Sequence, residues 1–362
     1  MLKVCFIVAD ITWTGGIERV LSSLATCIPD ETTKLEIVSL YRTYNNTYYD
    51  FPDNVTIKYI NDNVEYEGRP GSLSRLIKHL KSVLKLKKHL DSAGYDIVVA
   101  HSFPSAFLNF FSKKKNKWAV VEHVSFSYYS PLLRSIRRFI YKKYDAIVLL
   151  TDKDVSKFES EDAKVFVIPN PVSFTSVKCA PLDHNRIISV GRLEKQKGYD
   201  LLLEAFAIIS KKYPEWELAI YGQGTEEKQL KNIIDRFNLT NVKLMGLSQN
   251  IQKEYYNSSF YVMSSRYEGF PMVLLEAMTC GLPCVSFNCE TGPADIIDDG
   301  INGYLIDNFD VNLLSQAMEK LILDEHLRLQ MGQKALNSVN KFSLVNINCK
   351  WKELFQELMS EK

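Results

Sequence analysis

The 362-residue sequence has no apolar stretch long enough to span a bilayer. Residues 1–13 carry one lysine and then a β-branched run, without the small-residue cleavage pattern of a secretory signal. They predict a buried first strand and a cytoplasmic protein. Net charge is nearly absent, 44 Lys+Arg against 43 Asp+Glu, so the total points to no class of partner. Cysteine is sparse: seven residues, odd in number and scattered, which suits a reducing compartment rather than a disulfide framework. The one cluster, Cys280, Cys284 and Cys289, matches no zinc spacing and has no histidine near it, so small apolar core residues are expected there. Internal repeats and low-complexity tracts are missing, and no Gly-x-Gly-x-x-Gly follows a strand, which leaves a dinucleotide site unsupported. Hydrophobic residues at 46% and charged residues at 24% exclude a disordered chain.

Short apolar runs at 4–9, 35–40, 56–60, 96–101, 118–122, 146–150 and 165–168 alternate with helical patterns. The alternation pauses at Pro169-Asn170-Pro171, loosens through Ala180-Pro181, and restarts at 186–190, 217–221, 242–245, 260–263 and 283–287. Continuous Val/Ile/Leu strands separated by helices imply parallel sheets covered on both faces. There are too many strands for one compact sheet. The expected fold is α/β, with two tandem doubly wound, Rossmann-like domains facing across a cleft, at 1–175 and 180–342. Trp351, Leu354, Phe355 and Leu358 recur at helical spacing, predicting a helix within 343–362 that packs back on the first domain.

Such sheets bind ligands at the carboxyl ends of their strands, and three loops there carry chemistry. After the first strand, Gly15-Gly16 precede a helix, allowing close backbone approach and leaving N–H groups aimed at an anion. A tight turn is the plainer reading of that pair. After 186–190, Arg192 and Lys197 offer a fork and a point charge that together could neutralise a diphosphate. After 260–263, Glu268 lies in a turn and Glu276 sits eight residues on, among Val273, Leu274, Leu275, Ala277 and Met278. A carboxylate in such surroundings is expensive unless paired or bound to a ligand. The backbone from Gly269 through Phe270 and Met272 to Val273 would open a helix N-terminus, a further anion site.

Gly15-Gly16, Gly191-Arg192 with Lys197, and the Glu268/Glu276 pair spaced E-x7-E resemble the retaining glycosyltransferases of family 4, of GT-B fold. The stretch 268–295, with Thr291-Gly292-Pro293, looks most like enzymes of bacterial surface polysaccharides or lipid-linked oligosaccharides. The resemblance covers nearly the whole chain. It implies transfer of a sugar from a nucleotide-diphosphate donor, a UDP-hexose or UDP-N-acetylhexosamine, to a lipid-linked saccharide. It implies that Arg192 and Lys197 hold the diphosphate and stabilise the leaving group. Glu276 would bind the ribose, and Glu268 with Gly269, Phe270, Met272 and Val273 would contact donor sugar and phosphates. Gly246-Leu247 would border the base, and Gly15-Gly16 would close over the phosphates. His123 follows a strand at the place where the family carries a histidine near the transferred sugar, and His101, also at a strand end, is its rival. No cofactor and no divalent metal are expected, since cations and helix N-termini can carry the developing charge. Three other readings stand beside this one: an epimerase or hydrolase on the same scaffold, a non-catalytic nucleotide-sugar-binding protein, and Glu268/Glu276 as a glycosidase pair.

Charge is unevenly spread. Residues 1–180 hold 25 basic and 19 acidic side chains, and 181–362 hold 19 and 24. In 73–90, Leu73, Leu76, Ile77, Leu80, Val83, Leu84 and Leu90 lie near one face, with Arg75, Lys78, Lys81, Lys85 and Lys88 over the rest. In 133–143, Arg134, Arg137, Arg138, Lys142 and Lys143 interleave with Leu133, Ile136, Phe139, Ile140 and Tyr141. Two basic amphipathic helices suit contact with an anionic membrane at the inner face of the cell membrane. Helices that pack on the sheet with solvated cations are the plainer alternative. No nucleic-acid reader motif is present.

Overall fold

The computed structural model describes residues 1–62, 73–112, 115–158, 163–175 and 178–360, without the side chains of 73–80. Strands β1 (Leu2–Asp10), β2 (Thr33–Tyr41), β3 (Thr56–Tyr59), β4 (Ile97–His101), β5 (Lys117–Val121), β6 (Ala146–Leu149) and β7 (Lys164–Val167) form one sheet in the order β3-β2-β1-β4-β5-β6-β7. Strands β8 (Arg186–Val190), β9 (Glu217–Tyr221), β10 (Val242–Gly246), β11 (Phe260–Met263), β12 (Cys284–Phe287) and β13 (Gly303–Ile306) form a second, in the order β10-β9-β8-β11-β12-β13. Every pairing is parallel. The runs of Val, Ile and Leu are continuous because helices cover both faces, as β4 and β6 show with every residue buried. Strand order reverses between β1 and β4 and between β8 and β11. At such a point the loops leave in opposite directions and open a crevice at the carboxyl ends.

The chain divides into two compact units, Met1–Pro171 with Phe342–Lys362, and Val172–Lys341. The helix Leu344–Ser360 belongs to the first unit. It buries Ile347, Trp351, Leu354, Phe355 and Leu358, sets the Trp351 ring 5.4 Å from that of Phe6, and ties Lys352 to Asp30 at 2.6 Å. Among the described residues no helix is long and apolar enough to cross a membrane.

Observed strand ends differ from the expected ones by one or two residues, the usual fraying of such boundaries. β13 is the one strand the apolar pattern missed. It is four residues long, with Tyr304 and Leu305 only half-buried, and it opens on a glycine whose hypothetical Cβ would lie 2.2 Å from the Cys284 carbonyl oxygen. Cys280, Cys284 and Cys289 are buried free thiols, and burial pushes Cys280 and Cys289 up to about 12. They serve the core.

Two expectations about the basic helices need correction. In α2 (Leu73–Ala93) the buried face is Val83, Leu86 and Leu90, while Leu84 is 69% exposed. At 100° per residue, positions 83, 86 and 90 share a face and 84 turns away from it. In α4 (Pro131–Tyr141), Arg137 is fully buried rather than part of a solvated basic face. Its guanidinium carbon lies 4.7, 5.4 and 4.9 Å from the ring centroids of Phe126, Tyr129 and Phe158, and Nη1 is 3.5 Å from Glu122 Oε1. Buried charges require such partners. Leu133 and Phe139, placed among the apolar residues of that helix, point outward and are exposed.

Candidate active site

The loop after β8 rises to Arg192, makes a 3-10 turn over Lys195–Lys197, and ends on Gly198 in the left-handed region at φ 64°. A Cβ at Gly198 would lie 2.0 Å from the Ser264 carbonyl oxygen, so glycine is required for this loop to reach the end of β11. Three contacts fix the approach. Ser264 Oγ donates to the Lys197 carbonyl at 2.9 Å. The Arg266 N–H donates to the Gln196 carbonyl at 2.8 Å. Arg266 also grips Asp200 with both terminal nitrogens at 2.8 and 2.7 Å, the bidentate geometry peculiar to arginine.

Between these loops Lys197 Nζ meets Glu268 Oε1 at 2.7 Å, with 15% and 9% of the two side chains exposed. Two of the expected site residues thus form one ion pair. Arg192 is exposed. Its Nη2 reaches Gln196 Oε1 at 3.3 Å, and Gln196 Nε2 donates to the Tyr267 carbonyl at 3.0 Å. Gly246, at the end of β10, accepts from the Gly222 N–H at 2.8 Å, and Leu247 beside it is exposed. The carboxyl ends of β8, β9, β10 and β11 therefore surround a common area.

The helix Met272–Thr279 starts after Pro271, and no side chain caps it. Its first turn thus presents backbone N–H groups and the positive end of the helix dipole. Behind it, Thr291 Oγ1 donates to the Glu268 carbonyl at 2.7 Å. Gly292, at φ 96°, has no room for a side chain, since a Cβ would lie 2.5 Å from Pro271 Cδ. Phe270 and Met272 are buried and Val273 is half-buried. Glu276 is 2% exposed and accepts from Ser173 Oγ at 3.1 Å and from the Tyr255 hydroxyl at 3.3 Å. The expectation of a paired carboxylate in an apolar helix is met, and Ser173 and Tyr255 meet it with hydroxyls, the groups a ribose also offers.

In the first unit the two rival histidines turn out to be partners. His101 Nδ1 and His123 Nε2 are 3.1 Å apart, and the rings stack at 5.4 Å between centroids. Burial lowers His123 to about 4 and holds His101 well below the usual histidine range. Both are therefore neutral near pH 7, and one ring N–H is shared between them. His101 packs beside the rings of Phe6 and Trp351, and its Nε2 has no partner. A small hollow beside the pair is lined by Val20, Leu150, Asn170 and Trp351 as well as both histidines. The adjacent Glu122 points into the core, where it accepts from Tyr141 and pairs with Arg137. Burial raises it to about 7.

At the start of α1 (Gly16–Ala25), where a donor phosphate is expected over Gly15-Gly16, the protein supplies a carboxyl of its own. The Glu18 carboxyl folds back so far that a Cβ on Gly15 would lie 2.3 Å from its Oε2, and the N–H groups of Gly15 and Glu18 bond to it. Burial raises this carboxyl to about 7. Neither this internal cap nor the Arg266–Asp200 clamp is among the expected site features. The Gly-Gly-x-Glu spacing is a legible signal for the cap, whereas no spacing announces a clamp between a loop and the first turn of a distant helix.

The sequence carries one Asp-x-Asp triplet, Asp152-Lys153-Asp154, the kind of pattern that can hold a metal. Here Asp154 is buried and bonded to Lys157 Nζ at 2.8 Å and to the Phe126 N–H at 3.1 Å. Among the described residues no group of three His, Cys, Asp or Glu is placed to hold a metal ion.

Comparison with known proteins agrees with the two-unit architecture. Residues 14–175 match Glycosyltransferase Family 4, and residues 176–338 match Glycosyl transferases group 1. The amylovoran biosynthesis glycosyltransferase AmsD of Erwinia amylovora is 28% identical over 98% of this chain and 99% of its own. A Campylobacter jejuni N-acetylgalactosaminyltransferase that extends an undecaprenol-diphosphate-linked saccharide is 24% identical over 99% of both chains. In fold, a variant of Staphylococcus aureus TarM solved with UDP superposes at a TM-score of 0.79, covering 98% of this chain and 100% of that one at 18% identity. Two parallel Rossmann-like sheets with a cation-bearing loop, a Lys–Glu pair and a buried helical carboxylate at one strand-end crevice, matched along nearly the whole sequence, place this chain among the glycosyltransferases of family 4.

Proposed function

We propose that the protein transfers a sugar, with retention and without a metal, from a UDP-hexose or UDP-N-acetylhexosamine to a lipid-linked saccharide during synthesis of a cell-surface polysaccharide. The observation that carries this reading is the Lys197–Glu268 pair beside exposed Arg192 and the uncapped start of Met272–Thr279. The Arg192 guanidinium, bonded only to the neutral Gln196 side chain, and the N–H groups of the uncapped helix start offer positive charge beside that pair, which suits a diphosphate. The C. jejuni and E. amylovora relatives support the acceptor class and the pathway, and UDP in the TarM complex supports the nucleotide.

In the reaction the bond from the sugar C1 to the diphosphate oxygen breaks and its electron pair leaves with UDP. The acceptor hydroxyl oxygen bonds to C1 on the same face, and its proton passes to the departing phosphate oxygen. Negative charge grows on the diphosphate as the bond stretches, so Arg192, Lys197 and the helix start stabilise the transition state more than the ground state. Glu268 keeps Lys197 oriented, and Glu276 takes the ribose hydroxyls. His123 is assigned a contact to the transferred sugar, made as a neutral hydrogen-bonding group. A lipid-linked acceptor places the enzyme at the inner face of a membrane.

The test is a thermal-shift panel of nucleotide sugars with and without chelator, followed by product analysis with a lipid-linked acceptor. One UDP-sugar should raise the midpoint regardless of chelator and yield a new α-linked or β-linked product of the donor's own anomeric configuration. Free or isomerised sugar in place of a linked product would support hydrolysis or epimerisation and sink the transfer reading. Loss of the shift with chelator would sink the metal-free one.

A further inference from the structure

Residues 97–144 contain nine lysines and arginines and a single carboxylate, Glu122. That carboxylate is buried with Arg137 and Tyr141, so this stretch presents no negative side chain to solvent. Large apolar side chains do reach the surface. The rings of Phe107 and Phe111, Phe111 and Phe110, and Phe110 and Phe139 follow one another at 5.6 Å each, joining the end of α3 (Phe103–Asn109) to α4. Phe139 is 64% exposed, Leu132 72%, and Phe107 and Phe111 are exposed with them. Leu132 and Phe139 are seven residues apart, two turns along one face of α4. Lys115, Arg138 and Lys142 are exposed on the same stretch. Lys81, Lys85 and Lys88 are exposed on α2 together with Leu84. A contiguous aromatic ridge costs free energy in water and marks a surface that something covers.

We propose that the α3–α4 ridge docks on an anionic lipid surface. Phe111, Phe139 and Leu132 enter the boundary between headgroups and acyl chains, and Lys115, Arg138 and Lys142 meet the anionic headgroups. Charge selects this occupant. A second copy of the chain would set the same cations against one another. Nucleic acid would meet the cations but leave Leu132 without a partner. The proposed lipid-linked acceptor gives the surface its purpose, and that is the only respect in which this inference rests on the transfer reading.

The experiment is co-sedimentation of the full-length protein with vesicles of phosphatidylcholine alone or of equal parts phosphatidylcholine and phosphatidylglycerol. The protein should bind only the anionic vesicles, and less as salt rises. Phe111→Ser combined with Phe139→Ser should lower partitioning by about tenfold or more, with an unchanged melting temperature and unchanged transfer to a soluble acceptor. Arg138→Glu combined with Lys142→Glu should remove the preference for phosphatidylglycerol. Equal binding of wild type to both vesicles, no binding to either, or wild-type binding by the double serine variant would overturn the proposal. So would tight retention on single-stranded RNA, or a dimer by sedimentation velocity that Phe139→Ser dissolves. Anionic-vesicle binding by a protein that transfers no sugar would uphold the surface and count against the transfer reading alone, so the two failures are separable.

Discussion

Arg192→Ala should slow transfer strongly and leave the protein as stable as before. Arg192 is exposed and its guanidinium makes one long bond, 3.3 Å to Gln196, so truncation removes little native contact and stability should stay within about 0.5 kcal/mol. The leaving diphosphate acquires its extra charge only as the glycosidic bond breaks. Losing one cation aimed at that charge should cost about 2–4 kcal/mol in the transition state, about a 30- to 900-fold fall in kcat. Donor affinity should change much less. Lys197→Ala gives the contrasting outcome. It strips the partner 2.7 Å from Glu268, a carboxylate only 9% exposed. An ionised group left buried without its mate should cost about 1–3 kcal/mol of stability in addition to the loss of turnover. Adding Glu268→Gln to Lys197→Met should restore stability and leave transfer impaired. Steady-state kinetics, calorimetric donor titration and thermal melts of the three variants form the assay. Turnover of Arg192→Ala within about twofold of wild type, or a defect that lies wholly in donor Kd, would refute the leaving-group role of Arg192. A Lys197→Ala variant that melts where Arg192→Ala does would refute the burial cost of an unpaired Glu268.

Three further outcomes follow from buried groups. Glu276→Ala should raise the donor Kd by about 10- to 100-fold, the value of a charged hydrogen-bond set to ribose hydroxyls, with Glu276→Gln milder because it keeps contacts with Ser173 and Tyr255; unchanged calorimetric affinity would remove Glu276 from the donor site. Glu18 ionises near 7 in the fold against 4.5 ordinarily, so the native state holds a proton that the unfolded chain has released between those values. Its stabilisation is complete below about pH 4.5 and is lost as pH rises through 7, by up to about 3 kcal/mol; Glu18→Gln should flatten that alkaline limb, and an equally steep melt series in the variant would count against a buried neutral carboxyl. His123 is depressed from 6.5 to about 4, so its stabilisation is present above pH 6.5 and falls away as pH drops towards 4; His123→Asn should make the acid limb of the same melt series shallower.

Much of this architecture was legible in the sequence because parallel strands are buried on both faces and so read as unbroken apolar runs. The strand ends then locate the loops: Arg192, Lys197 and Glu268 lie in the loops that follow β8 and β11, where the sheet order reverses, and Glu276 lies in the helix that continues from the second of them. What escaped the sequence shares one cause: it depends on which side chains meet across the fold. The Lys197–Glu268 pair spans 71 residues of chain. His101 and His123 looked like alternatives because each follows a strand, yet neighbouring strands bring them to 3.1 Å. Arg137 read as one more surface cation because the three rings and the carboxylate that bury it lie on other elements. β13 was invisible for the opposite reason, since a short half-exposed edge strand opening on glycine has almost no apolar signature.

The helix Leu344–Ser360 has a consequence for how the protein is made. Trp351 forms part of the wall around His101 and lies 5.4 Å from Phe6 in β1, yet the ribosome adds it only after every residue of Val172–Lys341. A nascent chain can pair β1 to β7 early, but the wall beside the histidines stays open until the second unit has been synthesised. The order of assembly is therefore nested: the inner unit can finish first, and the outer one closes around residues contributed from both of its ends. A ribosome stalled before residue 342 would carry a first unit with its sheet formed and the apolar face around Phe6 still wet, a target for chaperones during that interval of synthesis.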